Sequence, residues 1–253
     1  MSIKKKTWEI LQGFRCADVS DAMDSMGLPN FYMDPAMRPM IPKTRFIGIA
    51  RTADFAPSAK AMPAMSYEDF EKLQYAGKAE GGYHYWDNPA AGVTKEDWDA
   101  YVNGFEGDSV LVIAAHGKIG GVLGSENCHR MMTRNGVVGF VFDGYMRDTP
   151  ESIEEEVPVF STGISFVHPM GRIELCAYDK PVECAGVRVC PGDIICADHD
   201  GLMVIPAELA DEVAYRCYKI QQIDRVNRRQ NYIDAGKAFD ESVELLPDLE
   251  RWF

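Results

Sequence analysis

The stretch Asn135-Gly136-Val137-Val138-Gly139-Phe140-Val141-Phe142-Asp143-Gly144-Tyr145-Met146-Arg147-Asp148-Thr149-Pro150-Glu151 decides the fold class. Val137, Val138, Phe140, Val141 and Phe142 form a short run of β-branched and aromatic residues, bounded by Gly136 and Asp143-Gly144. Such a run reads as a strand buried on both faces, of the kind found in covered parallel sheets. Arg147 and Asp148 follow within a few residues. A guanidinium and a carboxylate are thereby set on a loop held by a rigid core, where chemistry concentrates. Two solvated charges at a turn are the ordinary alternative.

Outward from this stretch, a strand is expected over Ser109 to Ala115, then a glycine-rich loop, then a helix from about Glu126 to Asn135. Gly136 stands where a helix-ending glycine belongs. Strand, helix and strand form a crossover suited to a parallel pair. Upstream, Thr7 to Phe14 and Asp18 to Met26 read as short helices, the second capped by Asp18 or Ser20 and stopped by Gly27. A proline-rich connector from Pro29 to Pro42 leads to a strand over Phe46 to Phe55. The span between Pro63 and Gly107 differs in character. It holds an expected helix over Tyr67 to Lys78, the cluster Tyr83-His84-Tyr85-Trp86 and a capped helix around Thr94 to Val102. The aromatic cluster suits either a lid over a site or a contact between subunits. After Val157 short strands are expected near Val187, Ile194 and Met203, then a long helix from beyond Pro206 to about Ala235. No repeat and no second boundary is visible. Residues 1–253 read as one mixed α/β domain with a β-rich core and an aromatic-rich insertion at about 60–104.

Hydrophobic residues make up 46% of the 253 and charged residues 26%, as in an ordinary soluble globular protein. The net charge of -13 argues against nucleic-acid binding, which needs a basic face. Lys4-Lys5-Lys6 and the arginines between Arg225 and Arg229 are local exceptions. No apolar stretch approaches membrane-spanning length, so no membrane association is expected. Seven cysteines, an odd number without any CxxC, read as reduced thiols of a cytoplasmic protein, mostly small buried hydrophobes.

Glu126 precedes Arg147 by twenty-one positions, and Glu151 follows Asp148 by three. The pattern Glu126-x20-Arg147-Asp148-x2-Glu151 resembles the signature of the family of the regulator of ribonuclease activity A, in particular its class II pyruvate aldolase branch. Flanking segments are similar too: Val19-Ser20-Asp21-Ala22, Phe46 to Thr52, Gly107 to Val112, Pro191-Gly192-Asp193, Ala197 to Gly201, and Val204-Ile205-Pro206. The resemblance covers most of the chain apart from roughly 60–104. It implies an α-β-β-α sandwich related to swivelling β/β/α domains, and a homotrimer or a hexamer of two trimers with sites at subunit contacts. It further implies cleavage of a 4-hydroxy-2-oxo acid to pyruvate, with oxaloacetate decarboxylation through the same enolate. Non-enzymatic regulators belong to the same family, and metal-dependent hydrolysis of a diketo acid needs the same enolate stabilisation.

The chemical difficulty of such a cleavage is the charge that accumulates on the keto oxygen. A lysine Schiff base or a metal ion can hold it. The resemblance implies the second device, with Asp148 as direct ligand of Mg²⁺ or Mn²⁺, Arg147 against the enolate oxygen, and Ser125, Glu126, Asn127 and Cys128 about the substrate carboxylate. A hard cation that keeps its waters needs only one or two carboxylates, so the lack of a His-rich set is no objection. Glu126 falls where aldolase members carry aspartate; it either helps to hold metal-bound water or is a first-turn acid favoured by the helix dipole. Glu151 has the same bland alternative as a helix cap. Asp224 is the nearest acid to the family's glutamate from a neighbouring subunit, and Asp21, His116 and His199 are weaker candidates. A dinucleotide site is a poor rival, because the glycines read Gly117-x-x-Gly120-Gly121-x-x-Gly124 rather than GxGxxG.

Overall fold

A computed structural model of the chain describes residues 3–58, 64–76, 88, 91–121, 124–169 and 171–253. In chain order the elements are α1 (Lys5–Leu11), α2 (Cys16–Asp24), β1 (Arg38–Pro39), β2 (Phe46–Pro57), α3 (Tyr67–Ala76), α4 (Lys95–Asn103), β3 (Ser109–Gly121), α5 (Ser125–Asn135) and β4 (Val137–Met146). There follow α6 (Thr149–Glu154), β5 (Val159–Ile164), β6 (Ile173–Tyr178), β7 (Val182–Cys184), β8 (Val187–Val189), β9 (Ile194–Asp198), β10 (Gly201–Ile205) and α7 (Ala210–Asp234). The main sheet has the order β1-β5-β4-β3-β2-β9-β10, with β6 also pairing β2, and β7 and β8 form a separate hairpin. The strands β5, β4, β3 and β2 are mutually parallel, while β9 and β6 join β2 antiparallel.

Side chains on a strand alternate between faces, and here each face meets a different core. Leu111 and Ile113 of β3, with Phe140 and Phe142 of β4, pack with Trp98 of α4 and with Cys128 and Met131 of α5. Their neighbours Val110, Val112 and Val141 point the other way, onto Ile195, Ala197, Leu202 and Val204 of β9 and β10 and onto the β7–β8 hairpin. The opposite faces of those strands, carried by Ile194, Cys196, Met203 and Ile205, pack on α1, α2 and α7. Helices, sheet, sheet and helices therefore stack in that order, with a core drawn mainly from strands in the middle. This is the α-β-β-α arrangement implied by the family resemblance. β2 turns the corner: Ile47 belongs to the last core, Phe46 and Ala50 to the middle one, and Ala53 and Phe55 to the first.

Several boundaries differ from expectation for local reasons. β3 does not stop at Ala115. His116 and Gly117 take left-handed φ of 52° and 67°, the register shifts, and Lys118 and Gly121 pair on with Gly144 and Tyr145 of β4. Gly120 and Gly121 are thus strand residues rather than loop. β4 likewise runs to Met146, so Arg147 follows the strand directly. Asp18 is not the cap of α2 but its third residue; Arg15 is the N-cap, and Asp18 accepts the Arg15 backbone N–H at 2.9 Å. Gly136 ends α5 as expected, with φ 65°. Thr94 caps α4 and accepts the Asp97 N–H at 3.1 Å. The Tyr83 to Trp86 cluster lies outside the described residues. None of the described helices is long and apolar enough to cross a membrane.

Phe142 is fully buried between β4 and the helices. Phe142→Ala should lower unfolding stability by about 3–5 kcal/mol in a denaturant titration, from lost burial and the residual cavity.

A candidate active site at the carboxyl ends of the parallel strands

The turn from β4 to α6 lies at the carboxyl ends of the parallel strands, and Gly124, the start of α5, lies against it. In open α/β sheets this edge is where ligands bind. Asp148 occupies the turn after β4 with φ 59° and ψ 43°, a left-handed conformation that a short polar residue tolerates better than most. As N-cap of α6 it uses its backbone carbonyl, which accepts the Ser152 N–H at 3.0 Å and the Ser152 hydroxyl at 2.8 Å. Its carboxylate does no capping. One oxygen, Oδ1, accepts a hydrogen bond from Arg147 Nε at 3.1 Å. The other, Oδ2, lies against Gly124, the N-cap of α5, where an added Cβ would come within 2.1 Å of it. Only a residue without a side chain lets the carboxylate rest on that helix start.

Gly124, Arg147 and Asp148 are thus brought together, and Ser125 through Cys128 form the first turn of α5 beside them. Ser125 and Cys128 are buried, Asn127 is half-buried and Glu126 is exposed. Asn127 Oδ1 accepts from Arg130 Nη2. Burial pushes the Cys128 thiol up, and the negative charges of Glu155 and Asp148 push the same way, so it is no thiolate nucleophile at neutral pH. Glu126 makes no ion pair with another described residue. Its place in the first turn of an 11-residue helix suits the helix dipole.

The remaining candidates fall elsewhere. His116 Nε2 sits 2.8 Å from Asp54 Oδ1 and is satisfied there. Asp224 lies on α7, 4.0 Å from Arg15, in the helical layer remote from Arg147. Glu151 is an exposed first-turn acid of α6; Asp21 and His199 are exposed on α2 and on the β9–β10 turn.

No cluster of three or more His, Cys, Asp or Glu able to hold a metal occurs among the described residues. The Asp148 carboxylate offers oxygen donors and, next to it in the chain, so does the Thr149 hydroxyl, buried without a hydrogen-bond partner among the described residues. This set fits a hydrated hard dication and does not fit zinc, which takes several nitrogen or sulfur ligands.

One neighbour escapes a reading of the sequence. His168, between β5 and β6, is half-buried and within electrostatic reach of Arg147, Arg172 and Asp148. Burial and the two guanidinium groups hold its pKa at about 4, with Asp148 opposing, so the ring is neutral at physiological pH. The only sequence signal is the turn-forming His168-Pro169 and Gly171-Arg172, which mark a connection and not a site. Because the unfolded ring titrates near 6.5, protons favour the unfolded chain below that value. Stability should therefore fall as pH drops from about 6.5 and stop responding to this group below about 4. Denaturant midpoints measured across that range for wild type and His168→Asn should show the flatter dependence in the variant.

The family model RraA-like (Aldolase/RraA) matches residues 16–204. The protein DlpA of Legionella pneumophila is 25% identical over 228 residues, covering 90% of this chain and 32% of that protein. A protein of Halalkalibacterium halodurans, provisionally named 4-hydroxy-4-methyl-2-oxoglutarate aldolase, is 31% identical over 120 residues, covering 47% of this chain and 57% of its own. The chain thus spans about a third and somewhat over half the length of these two relatives. Among solved structures, RraAS2 of Streptomyces coelicolor, described as an unusual member of the RNase ES inhibitor RraA protein family, superposes with a TM-score of 0.69 at 23% identity. That match covers 90% of this chain and 98% of that one. An uncharacterized protein from Pseudomonas syringae pv. tomato gives a TM-score of 0.70 at 23% identity, covering 96% and 98%. These two share the fold. The chain belongs to the RraA-like (Aldolase/RraA) family.

Proposed function

We propose that this chain is a carbon–carbon lyase that cleaves a 4-hydroxy-2-oxo acid into pyruvate and a second carbonyl compound. The observation that carries the proposal is the convergence of the α5 start at Gly124 with the Arg147 guanidinium and the Asp148 carboxylate at one sheet edge. The aldolase names carried by relatives matched over part of their length support it.

In the cleavage the 4-hydroxyl gives up its proton, the C3–C4 bond breaks, and C4 becomes a carbonyl. The bonding pair passes to C3 and delocalises onto the 2-oxo oxygen as an enolate, which takes a proton at C3 to give pyruvate. Arg147 is the permanent cation for that oxygen, its guanidinium oriented by Asp148. The N–H groups at the start of α5, which lack partners within the helix, suit the substrate carboxylate. Glu126 stands at the mouth of this turn as an acid open to water. Asp148 would hold Mg²⁺ or Mn²⁺, which when bound supplies Lewis-acid polarisation of the 2-oxo group. Loss of CO₂ from oxaloacetate forms the same enolate, so the proposal includes that decarboxylation.

Ile153, Ile164 and Phe166, on α6, at the end of β5 and just beyond it, are large apolar residues left exposed near this edge. They support assembly of several copies around the site, as a trimer or hexamer.

Pyruvate release followed with a coupled dehydrogenase tests the reaction. Arg147→Ala should lower kcat/KM about 100- to 1000-fold, and a chelator should abolish turnover until Mg²⁺ is restored. Full activity in either arm sinks the proposal, and a chain that instead captures a ribonuclease without releasing pyruvate would be a regulator. Light scattering should return three or six times the chain mass of 28.3 kDa, and Phe166→Asp should reduce it.

A further inference from the structure

Ile164 closes β5 beside Met146 of β4, and Ile173 opens β6 beside Pro57 of β2. Ala53 and Asp54 pair with β3 on one side and with β6 on the other, so β5 and β6 flank this end of the sheet with β4, β3 and β2 between them. The intervening chain must cross the carboxyl ends of those three strands. Four strand spacings amount to about 19 Å, and eight residues span at most about 28 Å, so the crossing is nearly direct. It is tied at both ends. The Ser165 N–H donates to the Met146 carbonyl at 2.8 Å, next to Arg147, and the Ser58 N–H donates to the Arg172 carbonyl at 2.8 Å. Within it, Arg172 Nη1 donates to the His168 carbonyl at 3.0 Å, and the Arg172 N–H to the Pro169 carbonyl at 3.0 Å.

The crossing brings a second guanidinium to the edge that already carries Arg147, with the His168 ring within reach of both. Arg147 is paired with Asp148 there, and the His168 ring feels both guanidinium groups together with that carboxylate. A ligand with one anionic end would use only one of the two. We infer that Arg172, with His168 beside it, is the specificity-determining pair of the site: it receives a second carboxylate, at the end of the substrate remote from the 2-oxo acid held by Arg147. The inference rests on the lyase reading for the orientation of the substrate. His168 supports it by being uncharged, so that it adds no third cation.

Calorimetry with Mg²⁺ present compares 2-oxoglutarate with pyruvate, two probes that share the 2-oxo acid end and differ in the distal carboxylate. The wild type should bind 2-oxoglutarate about 10- to 100-fold more tightly. Arg172→Ala should erase that preference and leave pyruvate affinity within twofold, Arg172→Lys should restore part of it, and thermal melts should confirm that both variants fold. A wild type without the preference, or an Arg172→Ala variant that weakens both probes alike, overturns the inference. The preference with no pyruvate released from any 4-hydroxy-2-oxo acid would overturn the lyase reading and leave the pair standing. Conversely, Arg172→Ala that cleaves 4-hydroxy-4-methyl-2-oxoglutarate and the monocarboxylate 4-hydroxy-2-oxopentanoate with unchanged relative rates would overturn the pair alone.

Discussion

The close approach of the Asp148 carboxylate to the backbone at Gly124 is the constraint on which the candidate site depends. It requires a residue without a side chain at the start of α5 and a left-handed Asp at the end of β4. It also requires two parallel strands whose ends come level despite the register shift after Ala114. The shift adds residues to β3 at His116 and Gly117 and lets that strand continue alongside Gly144 and Tyr145. Bulges at a sheet edge next to a site re-aim the chain beyond them; here they carry it on to the turn that begins α5. Backbone strain at Asp148 is of the kind that persists only where surroundings fix it, and Ser152 fixes it by holding the carbonyl from two directions.

Much of this is legible in the sequence because burial on both faces leaves a strong signature. The runs at Val110 to Ala115 and Val137 to Phe142, the helix between them and Gly136 identify the parallel pair without reference to anything distant. The extension of β4 to Met146 is not legible, because Asp143, Gly144 and Tyr145 read as a turn. They stay in the sheet since the continuation of β3 and Gly163 of β5 pair with them, and tertiary pairing overrides local preference. Asp18 misleads for a similar reason: an acid near a helix start reads as the cap, yet here Arg15 supplies the entering backbone and Asp18 reaches back to it.

The site divides in the same way. Arg147 and Asp148 stand out because their spacing from Glu126 and Glu151 resembles a family signature, and the first turn of α5 stands out by the same resemblance. His168 and Arg172 are invisible, since their place at the edge is set by the path from β5 to β6, and path is a property of sheet order, which no local pattern encodes. Asp21 shows the converse. Its residue type suits the chemistry, but the chain puts it in the layer of α2 and α7.

β2 contributes to all three cores and pairs with β3, β6 and β9. Neither half of the molecule keeps a complete hydrogen-bond ladder if that strand leaves. Thermal fluctuations large enough to free one half must therefore free the other, so partial opening is confined to the periphery. The rigidity that holds two strand ends level at the candidate site is, in this sense, borrowed from helices on the far side of the molecule.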